Sequence, residues 1–167
     1  MSRVTDAGLP SSAEHELEAA LGLAWLSRWG CSPLLALLRD MPLVRVWRAG
    51  ARELGEWGFT PKAIARFADR RRTFSCDRFS ALLEREGIGF VRYGCALYPA
   101  ELYHLEHPPA GLFHRGEASL LPLLGSVPRV AIVGTRKASA YGRNVTETFA
   151  QAFVQAGVAV ISGMAYG

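Results

Sequence analysis

The chain has 167 residues, half of them hydrophobic and a fifth charged, a balance that excludes a disordered segment and provides for one core or two small ones. Its three cysteines, Cys31, Cys76 and Cys95, are odd in number and form no CxxC, so neither a disulfide framework nor a thiolate zinc site is indicated and a reducing cytoplasm is the expected compartment. Nineteen basic against fifteen acidic residues give a net charge of +4, and only Lys62 and Lys137 among the nineteen are lysine; an arginine excess suits phosphate recognition, but a GC-rich genome would produce it as well.

The amino end, Met1 to Pro10, lacks a charged-then-apolar secretory pattern. No stretch approaches the roughly 20 apolar residues of a membrane span, so neither export nor insertion is expected. Residues 11–86 read as helices. Ser11 and Glu14 form a capping box, Leu17, Ala20, Leu21, Ala24 and Trp25 follow at helical spacing, and Gly30 stops the segment. Ser32-Pro33 then restarts a helix into Leu34, Leu35, Leu37 and Leu38. An offset of 28 positions matches Leu26, Trp29, Gly30, Ser32 and Pro33 with Leu54, Trp57, Gly58, Thr60 and Pro61. This is a duplicated helical hairpin or convergence on good capping chemistry. A helix-hairpin-helix motif that meets DNA phosphates carries a second glycine where Ser32 and Thr60 stand here, so a plain helical bundle is the better expectation. The run Arg70-Arg71-Arg72 suits a phosphate backbone, but equally the negative end of a helix dipole, and a solvated face is expected.

After Gly87 the pattern changes. Ile88 to Val91 is a β-type run, Tyr98-Pro99 opens a short helical stretch to Leu105, and His107-Pro108-Pro109 is a rigid turn before Leu112-Phe113. Val130-Ala131-Ile132-Val133 is a continuous apolar run, the pattern of a strand buried on both faces of a parallel sheet. Val145, Phe149, Ala152, Phe153 and Ala156 mark the apolar stripe of a helix that Gly157 ends, and Val158 to Ile161 is a second strand. Strand, loop, helix and strand within about 30 residues make one βαβ unit with both strands in one parallel sheet.

The loop between the first strand and the helix reads Gly134-Thr135-Arg136-Lys137-Ala138-Ser139-Ala140-Tyr141-Gly142, at the edge where open α/β sheets bind ligands. It lacks the further glycines of a dinucleotide fingerprint, and no Gly-Lys-[Ser/Thr] of a P-loop occurs anywhere. Hydroxyls on Thr135 and Ser139, the cations Arg136 and Lys137 with Arg143 beyond them, and the aromatic face of Tyr141 suit a single nucleic-acid strand better than a lone phosphate. A solvated, capped loop is the competing account. The second strand runs into Ser162-Gly163 at the same edge, where small residues leave room for a ligand backbone or for helix packing. His104 and His107 form no HExxH, no GxSxG elbow exists, and no acid pair stands out. No nucleophile, metal set or cofactor is therefore proposed.

The order of Tyr98-Pro99 with Leu102, Pro108-Pro109, Leu112-Phe113 with Gly116, Val130 to Arg136 with Tyr141-Gly142, and Ser162 to Gly167 resembles the DNA-processing protein A family (DprA, also called Smf) from about Gly87 onward. These bacterial proteins handle incoming single-stranded DNA in natural transformation. The resemblance implies a Rossmann-like domain, a basic pocket for single-stranded DNA, a non-enzymatic role in loading RecA, and a homodimer in full-length members. The family's Gly-[Ser/Thr]-Arg pocket falls on Gly134, Thr135 and Arg136, and its Ser-Gly-x-Ala segment on Ser162, Gly163 and Ala165. Residues 11–86 look like the family's SAM-like or helix-hairpin-helix amino-terminal domain.

Family members continue with Ile-Asp, a downstream Ala-His, further strands, a dimer surface and often a winged helix. None of this is in the present sequence, so an amino-terminal fragment or a truncated gene product of such a protein is expected, and the homodimer of full-length members is in doubt for these residues alone. The expected architecture is α + α/β: a helical SAM-like domain over 11–86, then, over 87–167, the first βαβ part of an incomplete Rossmann-like sheet. The candidate DNA-binding residues are Gly134, Thr135, Arg136, Lys137, Ser139, Tyr141, Arg143, Ser162 and Gly163. The rival expectation is a nucleotide-processing enzyme resembling lysine-decarboxylase-like phosphoribohydrolases, which share a related βαβ start; the Tyr98-Pro99 and Pro108-Pro109 region favours the first.

Overall fold

The computed structural model describes residues 12–27 and 32–163, in two compact units that divide between Leu121 and Pro122. Ser11, Trp29 and Gly30, on which the expected capping box, helix stop and repeat depend, lie outside the described residues, as do Met164 to Gly167.

In the first unit, helix α1 (Ser12–Ser27) is the central element, burying Ala19, Ala20, Leu23 and Leu26. Its small residues let α3 (Leu43–Arg48) approach closely, and Gly22 lies directly under the Trp47 ring. Around this pair are α2 (Ser32–Ala36), a 3-10 turn (Leu37–Arg39), α4 (Ala51–Glu56), α5 (Pro61–Thr73) and α6 (Cys76–Arg85). Each Leu, Val or Phe fully buried here contributes about 2 kcal/mol. The Thr60-Pro61 restart forms as its chemistry requires, since the Thr60 hydroxyl accepts a hydrogen bond from Ala63 N–H at 3.3 Å and Pro61 needs no partner there. At the end of α4, Gly58 has φ +85°, Phe59 N–H bonds the Leu54 carbonyl and Gly58 N–H that of Gly55, a Schellman closure that only glycine makes without strain.

Strands β1 (Gly89–Arg92) and β2 (Gly111–His114) pair antiparallel with one another, Phe90 opposite Phe113. They belong to the first unit: Phe113 meets Phe79 of α6 at 5.9 Å, and β2 packs on α1. The pattern change at Gly87 is thus a change of element type, and the packing divides later. Between the strands, the Tyr98 hydroxyl donates to the Pro109 carbonyl at 2.8 Å and so fixes the Pro108-Pro109 turn. Tyr98, Tyr93 and Tyr103 are in mutual ring contact; burial first, then the neighbouring tyrosines, push the Tyr98 phenol up and keep it protonated.

The second unit is the βαβ unit. Strand β3 (Arg129–Ala131) pairs parallel with β4 (Ala159–Ile161), Val130 opposite Val160, and α7 (Ala140–Gln155) connects them. Gly157, at φ +73°, turns the chain from α7 into β4 while Val158 N–H bonds the Phe153 carbonyl. The chain is accordingly α plus α/β. Burial departs from the sequence pattern: none of Val130 to Val133 is buried, Val133 is 88% exposed, and Phe149 of the α7 stripe is 57% exposed. Two short strands and one helix cannot enclose two faces of a sheet, so an apolar run specifies the strand without guaranteeing its cover.

Candidate nucleic-acid interface

The loop from Gly134 to Ser139 leaves the carboxyl end of β3 and enters α7, and two side chains shape it. Thr135 Oγ1 accepts from Lys137 N–H at 3.2 Å, folding the loop back over a short turn. Ser139 is the N-cap of α7, its Oγ accepting from Gly142 N–H at 3.1 Å. Arg143, on the first turn of α7, reaches back and donates to the Ala138 carbonyl at 2.9 Å. That bond uses part of its guanidinium to brace the loop.

A groove of about 710 Å³ opens beside this loop, within the size range of ligand sites. Gly134, Thr135, Ser139, Arg143, Ser162 and Gly163 all line it, so six of the nine candidates come together at the carboxyl ends of β3 and β4. A Cβ at Gly134 or Gly163 would meet nothing within 4 Å, which leaves the backbone open to a ligand. Arg136, Lys137 and Tyr141 do not line the groove; all three are exposed beside it, Tyr141 at 79%. The nine therefore divide into a groove wall and an exposed cationic and aromatic margin.

The sequence reading missed Thr146, Glu147 and Ala150, which complete the α7 wall. They follow Gly142 and Arg143 at helical i+4 spacing, a signal present in the sequence once the loop is singled out. The charge is also localised: residues 122–167 hold Arg129, Arg136, Lys137 and Arg143 against Glu147 alone, so three of the four net positive charges lie in the second unit. In the first unit, Arg71 Nη1 donates to the Trp47 and Ala49 carbonyls at 2.7 and 3.0 Å, and Arg72 pairs with Asp69 at 2.9 Å, which gives the Arg70 to Arg72 run a structural account at two of its positions. Among the described residues no His, Cys, Asp and Glu side chains group as metal ligands would, and no helix is long and apolar enough to cross a membrane.

Comparison with known proteins converges on the same region. The sequence model of the family described as DNA recombination-mediator protein A matches residues 89–167. Protein Smf of Synechocystis sp. is 30% identical over 154 residues, covering 90% of this chain and 39% of that protein. The DNA processing protein DprA of Bacillus subtilis is 32% identical over 90 residues, 54% of this chain and 29% of its own length. The chain thus spans well under half the length of these curated relatives. No solved structure matches it significantly. The Tyr-Pro hairpin, the Gly-Thr-Arg loop and the βαβ unit all lie inside the residues that match the DNA recombination-mediator protein A family, and it is to proteins of the DprA/Smf type that the chain is similar.

Proposed function

We propose that the chain contributes a single-stranded DNA-binding surface to a recombination mediator of natural transformation, a cytoplasmic protein that acts without catalysis and helps deliver single strands to RecA. The observation that carries this reading is the groove at the carboxyl ends of β3 and β4, walled by Gly134, Thr135, Ser139 and Arg143 and bordered by the exposed Arg136, Lys137 and Tyr141. Open backbone, hydroxyls and cations suit phosphates, and the exposed tyrosine suits a stacked base. The similarity to a DNA processing protein of Bacillus subtilis supports the same substrate class. The RecA partnership and the homodimer rest on the similarity to that family, and both would draw on parts of the longer relatives.

The test is binding of labelled oligothymidylate to the 167-residue chain, followed by anisotropy across a salt series. Arg136→Ala is expected to weaken binding and to lower the salt slope by roughly 0.7 for each phosphate that it no longer neutralises. Unchanged affinity and slope would remove the loop from the interface.

A further inference from the structure

The groove of the second unit is basic at its margin, yet its wall contains a carboxylate. Glu147 is the single acidic residue from Pro122 to Gly167, and it lines the groove with Thr146, one turn of α7 beyond Gly142 and Arg143. It is exposed and makes no hydrogen bond or ion pair with any described residue. Arg143, at i−4 on the same helix, donates to the Ala138 carbonyl at 2.9 Å instead.

The groove therefore has two ends of unlike chemistry. Thr135 and Ser139, with the exposed Arg136 and Lys137 beside them, stand at the loop. Glu147 stands eight residues beyond Ser139, ~12 Å along the axis of α7. Helical side chains lean toward the amino end of their helix, so the carboxylate covers the turn nearer the loop.

We propose that Glu147 gives the groove a preference for guanine among the bases of a bound strand, an inference that rests on the DNA-binding reading of this groove. An ionised carboxylate only accepts hydrogen bonds, through two oxygens, and it repels a phosphate placed beside it. An internal nucleotide of DNA has no donor outside its base, because neither the phosphodiester nor the deoxyribose carries an N–H or O–H. With its phosphate held at the loop, a nucleotide extends its base down the α7 wall toward Glu147. Guanine presents two donors side by side, N1–H and an N2 amino hydrogen, which match the two carboxylate oxygens. Adenine and cytosine set a ring-nitrogen lone pair beside their amino group, and thymine sets a carbonyl on each side of its N–H. Those neighbours repel the second oxygen. Stacking on Tyr141 accepts any base, so it adds affinity without this preference.

Anisotropy of two labelled hexanucleotides on the 167-residue chain tests this: oligothymidylate, and the same strand with one internal guanine. The guanine strand is expected to bind tighter by about fivefold or more. Hypoxanthine in place of guanine lacks the 2-amino group and is expected to lose most of that gain. Glu147→Gln, which keeps the shape but has one acceptor, is expected to bring the preference below twofold and to strengthen oligothymidylate binding, since a like charge is gone. The hypoxanthine strand leaves the protein untouched, so it decides the matter even if the variant unfolds. Equal affinity for the first two strands, a guanine gain that hypoxanthine retains in full, or a preference that persists in Glu147→Gln overturns the inference and leaves the DNA surface in place. No binding of any hexanucleotide removes both. Loss of the preference on adding EDTA would make Glu147 a ligand of a divalent cation, and displacement of the guanine strand by deoxyguanosine monophosphate as effectively as by the unlabelled strand would make the site one for a free nucleotide; each overturns the inference as well.

Discussion

At the scale of single residues, neighbouring arginines with one sequence signature have unlike roles. Arg71 reaches from α5 to the end of α3, where the Trp47 and Ala49 carbonyls have no further helical turn to bond, and it also lies 5.1 Å over the Phe67 ring. Arg72 makes an exposed pair with Asp69. Arg71→Met keeps the volume and strands two carbonyls, so it is expected to cost about 2 kcal/mol of unfolding free energy. Arg72→Ala is expected to cost less than about 0.5 kcal/mol. Urea denaturation of the two variants checks this, and equal losses would mean that the bridge to α3 contributes nothing. The difference between these arginines could not be read from the sequence, because the run satisfies both a dipole argument and a phosphate argument and the deciding partners are 22 and 24 residues away. Ser139 and Thr60 were legible for the opposite reason: a cap bonds a group three residues on, and the sequence contains both partners.

At the scale of elements, local rules and packing make opposite predictions for the glycine inside α1. Helix propensity alone says that Gly22→Ala should stabilise by roughly 1 kcal/mol. A Cβ at that position, however, would stand 2.5 to 2.7 Å from three carbons of the Trp47 ring, and the ring is itself wedged against Phe67 and Phe74. The substitution is therefore expected to destabilise by about 2 kcal/mol, as overpacking of a close-packed core does. A thermal melt gives the sign, and a stabilised variant would mean that α1 and α3 separate readily. The same contrast explains which elements the sequence disclosed. Helix α7, its Gly157 stop and the parallel strands were legible because one periodicity and one turn residue define them within about 30 residues. The pairing of β1 with β2 was not, because two four-residue strands carry no mark of their partner and the hairpin is closed by Tyr98 on Pro109, a contact across the intervening loop.

At the scale of the molecule, the two units differ in how they are held. Among the described residues no residue beyond Gly111 is buried, so the groove-bearing unit rests on one parallel strand pair and one helix, while the first unit holds every buried side chain. Local opening free energy follows buried apolar contact. Amide exchange should therefore be faster in β3 and β4, for example at the Ile132 N–H that bonds the Ile161 carbonyl, than at Leu23 in the middle of α1, by on the order of 100-fold. The location of the charge adds the functional half of the argument. Three of the four net positive charges lie on the less protected unit, so an anionic strand that binds there stabilises the closed form by mass action. Saturating oligothymidylate is expected to slow exchange from Gly134 to Arg143 and to leave α1 unchanged. Native-state exchange read by mass spectrometry separates the outcomes: protection gained only in α5 would move the DNA surface to the first unit, and equal protection of both units without DNA would mean that the second unit is held by contacts other than its buried surface.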